Sequence, residues 1–295
     1  MKQSCTEKTE GLCTAQVCAN TPISENIYLL KLKLTGQSAK TFAKTMPGQF
    51  AELRIDTFAL PAAASVPKHL LDNSLRNVIL RRPFSFDNVS IKPDSVQLNI
   101  MYYVLGPATL RMTTIKKGDQ ISIIGPLGNG FSIPPQKTAT LLVAGGMGAP
   151  PIHHLASYIK ENHSAVEVIT FTGAKTAADL PYKPDSGKNS FITTDDGSQG
   201  SPGFVTDSLL QWLENNNPAS NETVIYACGP EPMLAKVAQI AEICRIDSQV
   251  SLERRMACGI GLCQSCAVLC KAGNKNIYKL CCKDGPVFNS SEIVW

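Results

Sequence analysis

From Thr14 to about Pro134, hydrophobic and polar residues trade places in short runs: IYLLKLKL, QFAELRI, NVILRRPFSF, VQLNIMYYV and DQISIIG, divided by Gly, Pro and Asn turns. Successive side chains of a strand point to opposite faces, so a period of two at this spacing predicts half-buried strands closing into an antiparallel barrel. Between Asp56 and Arg76 the pattern lapses into DTFALPAAASVPKHLLDNSLR, which reads as a long surface loop with one helical turn.

After Thr138 the pattern changes. TATLLVAGG, AVEVITFTG and ETVIYACG are unbroken apolar runs, and PPIHHLASYIKEN and EPMLAKVAQIAEICR are helix-like. Apolar strands alternating with amphipathic helices predict a parallel sheet covered on both faces. This second region is expected to end near Ile246. The remainder, rich in Cys, Gly and Lys, is too short to hold a robust core unaided, so a metal staple there would be structurally useful. The expected division is therefore a barrel domain over 1–136, an α/β domain over 137–246 and a small C-terminal domain over 247–295.

Composition narrows the function classes. With 43% hydrophobic and 18% charged residues in a chain of 295, the protein falls in the soluble globular range. Lys plus Arg exceed Asp plus Glu by 28 − 24 = 4, and no basic run accompanies the excess, which argues against a nucleic-acid partner. The N-terminal MKQSCTEKTE lacks the apolar core of a secretory signal, and no run of about 18 apolar residues occurs. A cytoplasmic chain with no membrane association is expected. In a reducing compartment, eleven cysteines are poor disulfide candidates; clustered thiols there point to metal, and scattered ones to small buried side chains.

The clustered ones are Cys258, Cys263 and Cys266, in CGIGLCQSC, with Cys270, Cys281 and Cys282 following. The spacing C-x4-C-x2-C with a distant fourth cysteine is the plant-type arrangement for a [2Fe-2S] cluster. Soft thiolates suit iron, and Gly259 and Gly261 let a tight loop turn its amides toward a bulky inorganic core. A tetrahedral zinc site would favour paired C-x2-C units, of which there is one. Cys270 follows Cys266 through a strand-like AVL run that carries it about 13 Å onward, too far to close on the same irons. Cys281 and Cys282 are neighbours on the strand-like IYKLCC, so their side chains face opposite ways and one at most is a ligand. Spacing does not separate the two.

Two stretches suit nucleotides. Arg82-Pro83-Phe84-Ser85 ends a barrel strand, where a guanidinium can pair with phosphate and a hydroxyl can reach a ring nitrogen. MYYVLGPATL then leads through a Gly106 turn toward a helix, offering amides to a pyrophosphate. In LLVAGGMGAPP, a buried strand is followed by Gly145, Gly146 and Gly148 and by prolines at a helix entry, a Gly-rich variant of the dinucleotide turn. His153 and His154 read as exposed first-turn residues. Cys228, in YACGPEPML, ends the last apolar strand, where open parallel sheets place their ligands.

Taken in order, RRPFS, GPLGNGF, GGMGAPP, TDDGSQGSPGFVTD, YACGPEPML, MACGIGLCQSC and CKDGPVF resemble the electron-transfer subunits of type B dihydroorotate dehydrogenases, a branch of the ferredoxin reductase-like flavoproteins. The resemblance runs from about Thr14 to the C-terminus. It implies an FAD-binding barrel, an NAD-binding α/β domain and a C-terminal [2Fe-2S] domain. It carries flavin contacts onto Arg82, Pro83, Phe84 and Ser85, onto Met101, Tyr102 and Tyr103, and onto Ala108 and Thr109. Two departures stand at the pyrophosphate end: Ala108-Thr109 where family members commonly read Gly-Thr, and Tyr103 where they carry Arg. The cysteine before Lys-Asp-Gly-Pro-Val-Phe is Cys282, so the resemblance makes Cys258, Cys263, Cys266 and Cys282 the cluster ligands, with Cys270 and Cys281 as bystanders.

The same resemblance implies a relay: electrons pass between NAD(H), FAD, the [2Fe-2S] cluster and the FMN of a separate catalytic subunit that oxidises dihydroorotate in pyrimidine (UMP) biosynthesis, in a heterotetramer of two chains of each kind. No base for dihydroorotate chemistry is identifiable in this chain. Cys228 is expected near the nicotinamide. Lys175, after FTGA, supplies one cation without a basic pair for a 2′-phosphate, which favours NAD over NADP. Two other readings stay open on sequence: a related flavoprotein subunit serving a ferredoxin, polysulfide or hydrogenase partner, and a zinc-binding scaffold without flavin. The start Met256-Ala-Cys258 favours the dihydroorotate branch over one whose cluster segment carries an Asp ligand.

Overall fold

In a computed structural model of the protein, residues 11–74, 76–182 and 187–295 are described, and the MKQSCTEKTE stretch read above lies outside them. The alternating region forms strands β1 (Leu12–Pro22), β2 (Ile27–Thr35), β3 (Phe50–Leu53), β4 (Arg82–Ser85), β5 (Asn88–Lys92), β6 (Ser95–Tyr103) and β7 (Gln120–Leu127), with short helices α1 (Gly36–Phe42), α2 (Leu71–Ser74) and α3 (Pro107–Met112). They make one antiparallel sheet in the order β4-β3-β7-β1-β2-β6-β5. Period two is realised literally in β1, where Cys13, Ala15 and Val17 are buried and Leu12, Thr14 and Gln16 are exposed. Leu30, Leu32 and Leu34 of β2, Val96, Leu98 and Ile100 of β6, and Ile121 and Ile123 of β7 join them in one core, closed by the edge-on pair Phe42 and Phe86. Each such aliphatic side chain contributes roughly 1.5–3 kcal/mol on burial, which is what holds the sheet curled around a single interior. Strands β4 and β5 remain as edges, so the barrel is a partly open one.

Two local readings differ. In NVILRRPFSF only Arg82–Ser85 is strand, while Ile79 and Leu80 stand exposed ahead of it. The 56–76 insert is more than a surface loop: Val66 and Leu70 pack into the barrel core, between single 3₁₀ turns at Ala63–Ser65 and Lys68–Leu70 and the helix α2. Pro61, Pro67 and the alanines between them interrupt any period there.

The second region supplies β8 (Ala139–Gly145), α4 (Ala149–Asn162), β9 (Glu167–Ala174), β10 (Ser190–Thr194), β11 (Ser201–Pro202), α5 (Val205–Asn216), β12 (Thr223–Cys228), α6 (Glu231–Cys244) and β13 (Asp247–Ser251). Strands β11-β10-β9-β8-β12-β13 run parallel in that order. All six residues of β12 are buried, as a strand covered on both faces requires. The sheet continues past the boundary expected at Ile246, because β13 pairs with β12 and a C-terminal strand, β16 (Val287–Asn289), closes its edge antiparallel. Between them, β14 (Ala267–Ala272) and β15 (Lys275–Leu280) form a separate hairpin turning at Gly273. Cys281 and Cys282 lie beyond β15, in a turn, so strand alternation is not what separates them. His154, expected to be exposed, is buried at 5% relative exposure on the packed face of α4, next to Leu155 and Ala156.

By packing, the chain forms two compact units: residues up to 45 with 49–127 and 256–263, and residues 46–48 with 128–255 and 264–295.

Candidate cofactor and cluster sites

The parallel sheet reverses its winding between β8 and β12: β9, β10 and β11 extend to one side of β8, β12 and β13 to the other. Open α/β sheets bind ligands outside the carboxyl ends of strands at such a reversal. Both expected features stand there. Gly145 ends β8, Gly146 and Gly148 follow it, and Cys228 ends β12, paired in register with Ala144. A Cβ on Gly148 would lie 2.1 Å from the Cys228 carbonyl oxygen, so the glycine turn can sit against the end of β12 only with no side chain at that position. Gly146 has φ +50, a left-handed conformation that glycine adopts without penalty. The 14-residue α4 starts at Ala149, just after Gly148; Pro150 and Pro151 have no N–H and the Ala149 amide donates to the Gly146 carbonyl, so the positive end of the helix dipole, rather than a row of free amides, is what this end offers the crevice. The Cys228 thiol is 3% exposed, and burial pushes its pKa far up, holding it as a neutral group.

In the barrel unit, Arg82, Pro83, Phe84 and Ser85 form β4 opposite Leu53, Glu52, Ala51 and Phe50. Pro83 and Ser85 therefore share one face, and Arg82 and Phe84 the other. The Arg82 guanidinium donates to the carbonyls of Leu80 (2.8 Å) and Arg81 (3.1 Å). Arg81 is fixed differently: it donates to the Ser122 carbonyl (2.8 Å) and hydroxyl (2.9 Å), a framework role. Of the residues carried over from β6, Tyr102 turns into the barrel core, stacked on Tyr28 with centroids 5.4 Å apart and its hydroxyl 3.2 Å from Asn20 Oδ1. Met101 and Tyr103 take the other face by alternation. Ala108 is likewise a core side chain in the first turn of α3, so it and Tyr102 would meet a flavin only through main chain. Thr109 Oγ1 accepts hydrogen bonds from the amides of Leu105 (2.9 Å) and Gly106 (3.1 Å), fixing the turn and already engaging amides that a pyrophosphate would otherwise take.

The cysteines come as two pairs. In the barrel unit, the Cys263 amide donates to Cys258 Sγ at 3.4 Å, in a loop where Gly259 and Gly261 have φ +67 and +81. In the other unit, Cys266 Sγ and Cys282 Sγ are 3.2 Å apart, and the Cys282 amide donates to Cys266 Sγ at 3.4 Å. Among the described residues, no group of three or more Cys, His, Asp or Glu is drawn together as a metal cage. Within each unit, two cysteines with an amide donating to sulfur offer the soft, hydrogen-bonded donors that iron–sulfur chemistry uses. The other two cysteines do not. Cys281, fully buried, has its thiol pushed up to about 12 by burial and sets its sulfur 3.4 Å from the Leu252 carbonyl. Cys270 is fully buried on β14, bridged to Ile293, and burial raises its thiol too. Both thiols are thus turned away from the Cys266–Cys282 pair.

One residue of this region was not singled out on sequence. Glu52, on β3, is completely buried, and among the described residues neither carboxyl oxygen has a hydrogen-bond partner. Burial raises its pKa to about 7, against the attraction of Arg82 and Arg81 and with a further upward push from Cys263. A Cβ on Gly259 would come within 2.6 Å of Glu52 Cγ and 2.7 Å of Oε1, so the cysteine loop closes directly over this carboxyl.

Known proteins resemble this chain over most of its length. Residues 253–294 match the iron-sulfur cluster binding domain of dihydroorotate dehydrogenase B, and residues 142–239 match the oxidoreductase NAD-binding domain. The chain is 35% identical to the dihydroorotate dehydrogenase B (NAD(+)) electron transfer subunit of Fusobacterium nucleatum, over 95% of this chain and 97% of that one. It is 33% identical to the same-named protein of Shouchella clausii, over 97% and 99%. Among solved structures, an NADH-dependent reduced ferredoxin-NADP oxidoreductase chain superposes with a TM-score of 0.73 at 25% identity, covering 95% of this chain and 90% of that one. Phthalate dioxygenase reductase shares the fold at a TM-score of 0.59 and 14% identity, covering 90% and 88%.

Proposed function

The chain belongs to the electron-transfer subunits of NAD-dependent dihydroorotate dehydrogenase B, and from that premise we propose how its residues serve the relay. Nicotinamide exchanges a hydride and an iron-sulfur cluster exchanges single electrons; a flavin supplies the conversion between them. The barrel, over 1–136, holds the FAD. Ser85 donates a hydrogen bond to the isoalloxazine ring, Arg82 holds phosphate, and Pro83, Phe84, Met101, Tyr103 and Thr109 line the site with the main chain of Tyr102 and Ala108. The sheet region over 137–246, completed by β13, takes NAD(H) on Gly145, Gly146 and Gly148 with Cys228 beside the nicotinamide. The segment 247–295 carries the cluster on Cys258, Cys263, Cys266 and Cys282.

The observation that carries the metal assignment is the pairing of Cys266 with Cys282 rather than with Cys281 or Cys270. Dihydroorotate is oxidised on a separate FMN-containing subunit, joined with this one as two chains of each, in the cytoplasm. Among the described residues no helix is long and apolar enough to cross a membrane. The test is co-expression with a candidate catalytic subunit. The purified complex is expected to show flavin and iron-sulfur absorption and to reduce NAD⁺ when given dihydroorotate. A colourless, zinc-loaded protein would overturn the reading, and a coloured one inert toward dihydroorotate but active with ferredoxin or polysulfide would move it to a sister branch.

A further inference from the structure

Glu52 breaks two regularities at once. A charged residue is almost never fully buried without a partner, because desolvating an ionised carboxyl costs more than leaving it in water. Yet Glu52 is 0% exposed, and among the described residues neither Oε1 nor Oε2 is hydrogen-bonded. The cations nearest in effect are already committed, Arg81 to Ser122 and Arg82 to the carbonyls of Leu80 and Arg81. Alternation cannot excuse it as an outward, solvated side chain, because the face it shares with Pro83 of β4 and Ile124 of β7 is covered by the loop 256–263. Gly259 is itself held at φ +67 directly over the carboxyl, so the loop is shaped to accept this neighbour.

From this placement we infer that Glu52 is a positioning residue for charge: its buried carboxylate lowers the reduction potential of the cluster carried by the Cys258–Cys263 loop. The inference rests on the reading of that loop as a cluster site. Reduction adds one negative charge to the cluster, and Glu52 in its ionised form, a charge in a poorly solvated site, opposes that addition. Cluster potentials respond to net charge and solvent exposure around the sulfurs, and here the charge is supplied by the barrel strand adjoining the Arg82–Ser85 motif. The charged and titratable groups that act on Glu52 are Arg81 and Arg82 from the β4 side and Cys263 from the loop; the β7 residue opposite it, Ile124, carries none.

The test is potentiometry on the holoprotein at pH 8, reading the cluster by electron paramagnetic resonance. Wild type is compared with Glu52→Gln and Glu52→Met, the second chosen because an unpartnered buried site accepts an apolar side chain of similar length. Both neutral variants are expected to raise the midpoint so that, at a fixed ambient potential, the reduced-to-oxidised ratio increases about tenfold, or about 59 mV for a one-electron couple. Midpoints equal to wild type in both variants would overturn the inference. Loss of the cluster from both would make Glu52 a packing requirement and overturn it too. A wild-type protein without any cluster signal would instead defeat the functional reading beneath it, which keeps the two failures apart.

Discussion

Cys266 Sγ sits 3.2 Å from Cys282 Sγ across sixteen residues of chain, while Cys281, one residue earlier, sends its sulfur toward the Leu252 carbonyl. The turn that follows β15 imposes this choice. The amide of Leu280 donates to Asp284 Oδ2 at 2.7 Å and that of Asp284 to the Leu280 carbonyl, a closed turn that points residues 281 and 282 in different directions.

Iron content follows from that geometry. Cys282→Ser is expected to lose most of its iron and sulfide, whereas Cys281→Ser and Cys270→Ser keep theirs near the wild-type level. Iron and acid-labile sulfide analysis with visible circular dichroism reads the result, and equal retention by all three variants would contradict the ligand assignment.

Gly259 links the loop to the barrel. Gly259→Ala adds a methyl 2.6 Å from Glu52 Cγ at a φ of +67, where an L-residue is strained. The variant is expected to lose about 1–3 kcal/mol of stability, with lower cluster occupancy. Adding Glu52→Ala should restore part but not all of the loss, since the clash is relieved and the backbone strain is not. A double-mutant cycle with strictly additive losses would show that the two residues do not meet.

At the dinucleotide turn, glycines differ in what surrounds them. Gly148→Ala drives a methyl to 2.1 Å from the Cys228 carbonyl, which is backbone and cannot step aside, so NAD(H) binding and thermal stability should both fall severely. Gly145→Ala meets Met233 Sδ at 2.6 Å and Pro230 Cδ at 2.9 Å, and the flexible methionine can yield. Its loss should be the smaller one. Calorimetric titration of NADH and a melting curve on each variant decide the order.

Folding and pH are linked through Glu52, whose pKa stands at about 7 in the folded protein against an ordinary 4.5. Between those values the folded state binds more protons than the unfolded one, so this residue's contribution to stability falls as pH rises across the window and levels off above it. Relative to wild type, Glu52→Gln should therefore gain stability between pH 4.5 and pH 8, by at most about 3 kcal/mol. Denaturant unfolding at the two pH values checks it; a difference that does not change with pH would show that the carboxyl is solvated.

Much of the architecture was legible in the chain because period-two and unbroken apolar runs are direct records of one-faced and two-faced burial. So β1, β2, β6 and β7 appear where alternation placed them, and β8, β9 and β12 where apolar runs did. The strands β10 and β13 were passed over, since FITTDD and DSQVS mix polar residues into buried positions: Thr193, Thr194, Ser248 and Gln249 are all buried. In β13 the polar atoms are accommodated by contacts distant in sequence, Gln249 Nε2 donating to the Ser132 carbonyl at 2.8 Å and the Ser248 hydroxyl pairing with that of Ser290, and no local pattern can announce those.

By itself, the sequence determined the kinds of chemistry, since thiolate spacing, glycine turns and the Arg-Pro-Phe-Ser strand are local arrangements whose geometry the backbone enforces within a few residues. Tertiary structure alone decided which distant groups meet. Cys282 rather than Cys281 reaches Cys266, Tyr102 turns inward to Asn20, and Glu52 is sealed beneath Gly259 instead of facing water. Such contacts depend on how strands register and loops close over them, and burial without a hydrogen-bond partner lifts the pKa of an ordinary glutamate to about 7.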